Sequence, residues 1–384
     1  MTNSSAAPLD PAGIEAALRP FGASTTLPAA AYTDPAVLAW ERRHLFAGAW
    51  TCLGRLDELS RGCTQRAVTA GDAGVLLTFG AGGVRAFANL CRHRGHELLP
   101  DGAAADRPAA VCPYHGWSYK LDGSLAAAPH MAGVAAFDPD RLGLVELPVA
   151  VWHGWLLVNA AAAAPPLSDY VGALEELIAP YHPESLHLGA RHQYQVAANW
   201  KVILEQYHEC YHCPLIHPEL CRVSPPASGK NWALPGAWVG GAMDLREHAE
   251  TMSLDGRGTG VFIDGAPRRT ILYVALFPNL IISAHPDYVM THRLTPVAPD
   301  RTDIECSWYF PDPAVDPAYA ADFWDLTNRQ DWAACESVQR GIGSPHYVPG
   351  PLADNEDAVY QWVALVAAAY LDPQGALADH CSQP

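Results

Sequence analysis

The chain has 384 residues, 49% of them hydrophobic and 17% charged, with 31 Gly and 33 Pro. This is the composition of a compact enzyme of two domains or one large one, and it excludes a disordered or fibrous chain. Formal charge is −17, from 24 basic and 41 acidic side chains, so nucleic acid and anionic membrane surfaces would be repelled.

Residues 1 to about 35, rich in Ala, Pro, Ser and Thr, read as a mobile tail with one short helix near 13–18. Arg19, the first basic side chain, follows Asp10 and Glu15, unlike a secretory leader, and a cytoplasmic protein is expected. The apolar runs at 155–164 and 362–371 fall short of the roughly 20 residues that cross a bilayer, so no membrane span is expected. An Asp34-Pro35 start and the spacing of Val37, Leu38, Leu45 and Phe46 predict an amphipathic helix over 34–50. From there to about Asn159, short Val/Leu/Phe runs broken by Gly, Asp and Pro predict a small antiparallel β domain, with strands at 75–79, 84–89, 117–121 and 155–158. Two Cys-His pairs fall inside it: Cys91-Arg92-His93 and, eighteen residues on, Cys112-Pro113-Tyr114-His115. Two thiolates and two imidazoles can hold a tetrahedral zinc ion or a [2Fe–2S] centre with Cys on one iron and His on the other, and composition does not separate the two.

The stretch 160–166 reads as a linker, followed by a helix capped by Ser168 with Val171, Leu174, Leu177 and Ile178 on one face. Strand-like runs at 270–277, 280–284, 288–295 and 304–310, a long helix at 317–341 and a last helix after Asp354 complete a second, α+β domain. The segment Asn199 to His217 begins as a helix that carries Glu205, Glu209 and His212 on one face. Pro214 is expected to break that helix so that His217, five residues beyond His212, can turn back toward the same point. Two His and one carboxylate on a triangular face leave open positions on an Fe(II) ion. In the long helix, Trp324, Asn328, Asp331, Cys335 and Val338 form an inward stripe. A buried carboxylate there needs a compensating cation, so Asp331 is the expected third ligand. Cys210 and Cys213 read as small hydrophobes, and His208, His248, His285, His292 and His346 as satisfied core or surface histidines.

The motifs Cys91-Arg92-His93-Arg94-Gly95-His96 and Cys112-Pro113-Tyr114-His115-Gly116-Trp117 resemble the loops of Rieske non-haem iron oxygenases, α (terminal oxygenase) subunit. Glu209-x-x-His212-x-x-x-x-His217, with Asp331 about a hundred residues later, resembles the catalytic domain of the same family. The resemblance covers about 41–371. It implies Cys91 and Cys112 on one iron of a [2Fe–2S] cluster, His93 and His115 on the other, and a mononuclear non-haem Fe(II) held by His212, His217 and Asp331. It further implies Glu209 as the bridge between His212 and a neighbouring subunit's cluster histidine in a head-to-tail homotrimer. Gln206 departs from the pattern, where relatives usually carry Asn. The implied division is 1–47 (tail and a helix packing on the catalytic domain), 48–160 (Rieske domain) and 161–384 (catalytic domain, an antiparallel sheet with long helices, helix-grip-like).

No Gly-rich dinucleotide fingerprint is present, so electrons from NAD(P)H would come through a separate ferredoxin or flavin reductase. The branch with choline, glycine-betaine and carnitine oxygenases looks nearest, implying O2 and a small, possibly quaternary ammonium, substrate for hydroxylation or N-demethylation. Trp232, Trp238, Phe262, Tyr273 and Tyr309 are candidates for its cage. Segments 243–246 and 251–256 are expected as a loop over the site. The alternatives are an aromatic-ring-hydroxylating dioxygenase and, more remotely, a zinc-stabilised non-redox binding protein.

Overall fold

The computed structural model describes residues 6–382, so the first five residues of the expected tail lie outside it. The chain divides into two compact units: Arg42–Ala164, and the remainder before and after it. Among the described residues no helix is long and apolar enough to cross a membrane.

The Arg42–Ala164 unit is built from eleven short strands: β1 (Thr51–Arg55), β2 (Gln65–Ala70), β3 (Ala73–Gly80), β4 (Gly83–Ala88), β5 (Ala104–Ala105), β6 (Ala109–Val111), β7 (Ser118–Lys120), β8 (Leu125–Ala127), β9 (Glu146–Leu147), β10 (Val149–Trp152) and β11 (Trp155–Val158). They pair as three antiparallel sheets in the orders β1-β11-β10, β5-β2-β3-β4-β9 and β6-β7-β8. The alternating runs place Leu76 and Phe87 in one core with Cys91, Cys112, Trp117 and Tyr119, and Val75 and Leu77 in a second with Leu156 and Val158. The helix expected over 34–50 does not persist. It ends at Glu41, and a π-helical turn over Arg42–Phe46 follows at the division between the units.

The second unit centres on a seven-stranded antiparallel sheet. Its members are β12 (His187–Val196), β13 (Lys230–Trp232), β14 (Trp238–Asp244), β15 (Thr270–Leu276), β16 (Leu280–Ala284), β17 (Val289–Ala298) and β18 (Arg301–Phe310), in the order β12-β18-β17-β16-β15-β14-β13. β16 is buried at every position, the central place in the sheet that its apolar run, broken only by Ser283, foreshadows. Helices Trp200–Tyr207, Ala318–Ile342 and Asp357–Leu371 pack on this sheet and on one another, with the Trp200, Phe277 and Trp362 rings meeting at 5.6–6.4 Å.

Here too helices differ from expectation. The one over 168–178 is cut in two because Gly172 sits at φ 47°, where a Cβ would lie 2.3 Å from Pro235 O, and Ser168 caps neither piece. On the long helix the inward stripe passes through Gln339, not Val338, which is 51% exposed. After Cys335 the 3.6-residue repeat favours a step of four over one of three.

Helix Trp200–Tyr207 is moored unusually firmly. Asn199 caps it, accepting from Lys201 N at 3.1 Å, and its side-chain amide donates to Tyr32 O and Pro299 O. Lys201 Nζ lies 2.6 Å from Glu41 Oε1 with neither side chain exposed, while Trp200 Nε1 donates to Glu41 Oε2 at 2.8 Å and Tyr370 Oη to Glu41 Oε1. Burial lowers the Lys201 pKa and the Glu41 charge works against that shift. Removing one partner strands a buried charge, so Glu41→Ala should cost about 3–5 kcal/mol in chemical denaturation. Glu41→Leu with Lys201→Met should recover only part of this, because the Trp200 and Tyr370 donors then lose their acceptor.

Candidate active site

The Cys-His pairs sit on two turns of the same build. Gly95 N donates to Cys91 O and Cys91 N to His96 O. In the other turn Gly116 N donates to Cys112 O and Cys112 N to Trp117 O. Gly95 and Gly116 both adopt φ 74°, so each turn needs the glycine four residues after its cysteine. The turns bring His93 and His115 to a ring separation of 4.7 Å, with Trp117 stacked on His93 at 4.8 Å. Cys91 and Cys112 lie beneath, 2% and 1% exposed, and Tyr119 Oη accepts from Arg92 N and lies 3.3 Å from Cys91 Sγ.

Two observations test what this tip can hold. His93 Nδ1 is buried without a hydrogen-bond partner. No three of the four donor atoms come within 4.8 Å of one another, a compactness that among the described residues only His212, His217 and Asp331 reach. One tetrahedral ion with bonds of about 2.0–2.3 Å needs closer donors, whereas a two-iron cluster spreads them.

The second constellation is arranged differently from the single helical face that spacing suggests. Helix Trp200–Tyr207 ends before Glu209, and a turn carries Glu209 to His212. Glu209 makes that turn: its Oε2 accepts from Tyr211 N and from His212 N, the latter at 3.1 Å. Pro214 begins, and does not break, a helical turn over Cys213–Ile216, since its missing N–H is no loss in a first turn. His212 and His217 flank that turn at its two ends, and this places both on one point.

There His212 Nε2 lies 3.2 Å from His217 Nε2, and Asp331 Oδ1 lies 2.6 Å from His217 Nε2 and 3.6 Å from His212 Nε2. His212 Nδ1 donates to Glu209 Oε1 at 2.5 Å and His217 Nδ1 to Gln330 Oε1 at 2.7 Å, so both Nε2 lone pairs face the centre. Burial disfavours the charged form of His212, but the Asp331 and Glu209 carboxylates outweigh it and raise its pKa to about 9. Burial likewise opposes ionisation of Asp331, and its bonds to the two imidazoles still hold it below the ordinary carboxylate range. Lone pairs of two imidazoles and a carboxylate that share one centre fit a divalent cation, with open positions on the cavity side.

The triad lines a cavity of about 650 Å³, with Gln206, Tyr207, Tyr273, Trp324, Lys230, Asp354 and Asp357 among the other wall residues. Of the five aromatic candidates only Tyr273 lines it. Trp238 is 2% and Tyr309 5% exposed within the core, and the Phe262 ring lies under Arg268. Tyr207 and Trp324 take their places, with ring centroids 6.2 and 6.4 Å from Tyr273. Residues 251–256 do not line the cavity. Thr251 and Met252 are buried, with Thr251 Oγ1 donating to Asp287 and Tyr288 Oη to Met252 O, whereas Met243 does contribute to the wall. Cys210 and Cys213 are joined as a disulfide, not packed as free hydrophobes, and neither ring nitrogen of buried His285 has a hydrogen-bond partner. Gln330, Tyr207 and Trp324 carry no local signal that singles them out.

A model of the Rieske [2Fe-2S] domain matches residues 49–138, and one of the ring hydroxylating alpha subunit (catalytic domain) matches 183–372. The chain is 31% identical over 365 residues to the glycine betaine monooxygenase oxygenase subunit of Chromohalobacter salexigens, covering 85% of this chain and 81% of that protein. It is 36% identical over 198 residues to the carnitine monooxygenase oxygenase subunit of Escherichia coli K12, covering 50% and 52%. Among solved structures, a quaternary ammonium Rieske monooxygenase studied for carnitine oxidation by gut microbiota superposes with a TM-score of 0.75 at 25% identity, covering 95% of this chain and all of that one.

Because Gln330 is what fixes the His217 ring, Gln330→Leu should lower the affinity of the chelator-stripped site for Co(II) about 10- to 100-fold. Calorimetric titration against the unaltered protein checks this.

Proposed function

We propose, from the premise that this chain belongs to the Rieske non-haem iron oxygenases as their α, terminal-oxygenase subunit, that it oxidises a small quaternary ammonium substrate at a carbon bonded to nitrogen. The family's cofactors are a Rieske [2Fe–2S] cluster and a mononuclear non-haem iron. In this reading Cys91, Cys112, His93 and His115 hold the cluster within a domain spanning 48–160. His212, His217 and Asp331 hold the iron within a catalytic domain spanning 161–384, onto which a helix of the first 47 residues packs. One observation carries the reading: the metal-binding triad opens onto a cavity whose wall is aromatic and anionic.

The wall sets Glu209, Asp331, Asp354 and Asp357 against one lysine, Lys230, and Tyr207, Tyr273 and Trp324 line the same space. A quaternary ammonium group has no proton to donate, so what can hold it is the face of aromatic rings and the field of nearby carboxylates. Both are present, and an anion without a compensating cation would be rejected by the same wall.

The residues divide the work. Asp331 and the two imidazole Nε2 atoms form one triangular face, which leaves the cavity side free for substrate and dioxygen. Glu209 and Gln330 accept from the Nδ1–H groups and so fix Nε2 as the nitrogen of each ring that faces the centre. The aromatic wall excludes water and turns the N-methyl groups toward the triad. Bound at the triad, Fe(II) supplies dioxygen activation, with electrons delivered from the cluster. Overall, O2, two electrons and two protons leave one oxygen on the carbon and the other in water; the C–N bond of the carbinol so formed then breaks with its electron pair staying on nitrogen, and the hydroxyl proton is released to solvent, giving a tertiary amine and an aldehyde. Those electrons start on NAD(P)H and arrive through a separate ferredoxin or flavin reductase. Glu209, hydrogen-bonded to His212, is the bridge toward the cluster histidine of an adjoining subunit in a homotrimer.

Single turnover of the reduced protein tests this. With glycine betaine, carnitine or choline, formation of an aldehyde together with an amine that has lost the matching carbon is expected. A product heavier by two oxygens and two hydrogens from an aromatic panel, with no turnover of the amines, would transfer the assignment to ring dihydroxylation. Asp331→Ala should keep the cluster's colour while iron falls from about three to about two per chain and turnover is lost. Cys91→Ala should lose the colour.

A further inference from the structure

The centre described above has a fourth polar head. Gln206, on the last turn of helix Trp200–Tyr207, places its side-chain amide 3.0 Å from His212 Nε2 and in short contact with Asp331 Oδ1. Both of its hydrogen bonds go to atoms of the triad. Donors about 2.1 Å from a six-coordinate divalent ion lie about 3.0 Å from their neighbours. Of the edges among the four heads, His212–His217 at 3.2 Å and Gln206–His212 at 3.0 Å lie near that length, His212–Asp331 at 3.6 Å is longer, and His217–Asp331 at 2.6 Å and the Gln206–Asp331 contact are shorter. The amide therefore lies beside the donor atoms of the triad, within reach of an ion held among them.

A carboxamide offers NH2 or oxygen at one place by a half-turn about its last bond. With the cation absent, NH2 is the head that the lone pairs of Asp331 and His212 favour. With a cation among them, only the oxygen has a lone pair to give. We infer that Gln206 Oε1 is a fourth protein ligand of the mononuclear metal, neutral and exchangeable, reached through an amide that turns over when the metal binds. This rests on the reading of His212, His217 and Asp331 as a metal site. A neutral ligand leaves the charge of the site unchanged and takes one of the three positions that the triad leaves free. Two then remain open to small molecules. The helix that carries Gln206 is the one moored by Asn199 and by the buried Glu41–Lys201 pair, so the amide is held by rigid backbone.

The test uses the full chain with its cluster intact, stripped of the mononuclear metal by a chelator and titrated anaerobically with Co(II). In crystals of the Co(II)-loaded protein, Gln206 Oε1 should lie within about 2.3 Å of cobalt. In solution, Gln206→Leu and Gln206→Asn, the second shorter by one methylene, should both weaken Co(II) binding about tenfold or more. Cluster absorbance and thermal midpoint verify that each variant is folded, and the Asn variant serves where the Leu variant is not. An amide whose NH2 still faces Asp331, with no bond to cobalt, overturns the inference even if affinity falls, because Gln206 then only positions Asp331. Unchanged affinity in both variants overturns it equally. A wild-type protein that keeps its cluster colour but takes up no Co(II) at the triad would instead bring down the metal reading itself.

Discussion

Two imidazole nitrogens that face each other across 3.2 Å, with a carboxylate oxygen 2.6 Å from one of them, are an arrangement that protein atoms alone do not favour. Each of these atoms can present a lone pair, so a proton or a cation has to lie among them, and the neighbouring carboxylates accordingly raise the affinity of His212 for a proton. What surrounds the point holds the three heads in place. Glu209 and Gln330 lock the ring orientations from behind, the turn at Pro214 sets the spacing of the two histidines, and the long helix Ala318–Ile342 presents Asp331. The mooring of helix Trp200–Tyr207 by Glu41, Tyr32 and Gln339 extends the same constraint outward to segments far away in sequence. A flexible scaffold would relax by separating the three heads. This one keeps them together, so that in the proposed site a divalent cation would take the place of the proton and meet all three heads at once.

Much of this was legible in the sequence because ligand chemistry imposes residue types as well as spacing. Cys and His in two short turns, and His-x-x-x-x-His near a carboxylate, are rare by composition, and the long helix and four central strands follow from apolar periodicity. Other features were not legible, for physical reasons that differ. β12 (His187–Val196) is an edge strand whose alternation of Leu188, Ala190, Tyr194 and Val196 is broken at His192, and only Tyr194 and Val196 are buried, so its apolar signal is weak. The break at Gly172 depends on how close Pro235 comes, a tertiary contact. Glu209 and His212 were expected on one helical face, but the carboxylate of Glu209 takes the backbone N–H groups of Tyr211 and His212 and ends the helix instead. Tyr207 and Trp324 face the cavity although core aromatics have the same local pattern, and only the fold separates the two cases.

Glu209 illustrates how far one side chain can be committed. One oxygen accepts from two backbone N–H groups and shapes the turn, while the other accepts from His212 Nδ1 and fixes which nitrogen faces the triad. A carboxylate with both oxygens anchored can still accept one further donor on the lone pair of Oε1 that His212 leaves unused. In the proposed assembly that donor is a cluster histidine of the adjoining subunit. Because a hydrogen-bonded carboxylate between two imidazoles responds to charge on either ring, a change of charge at one metal centre alters how strongly the other is held. Geometry, proton position and electronic contact would then be controlled by a single residue, and its replacement by a neutral isostere would disturb all three together.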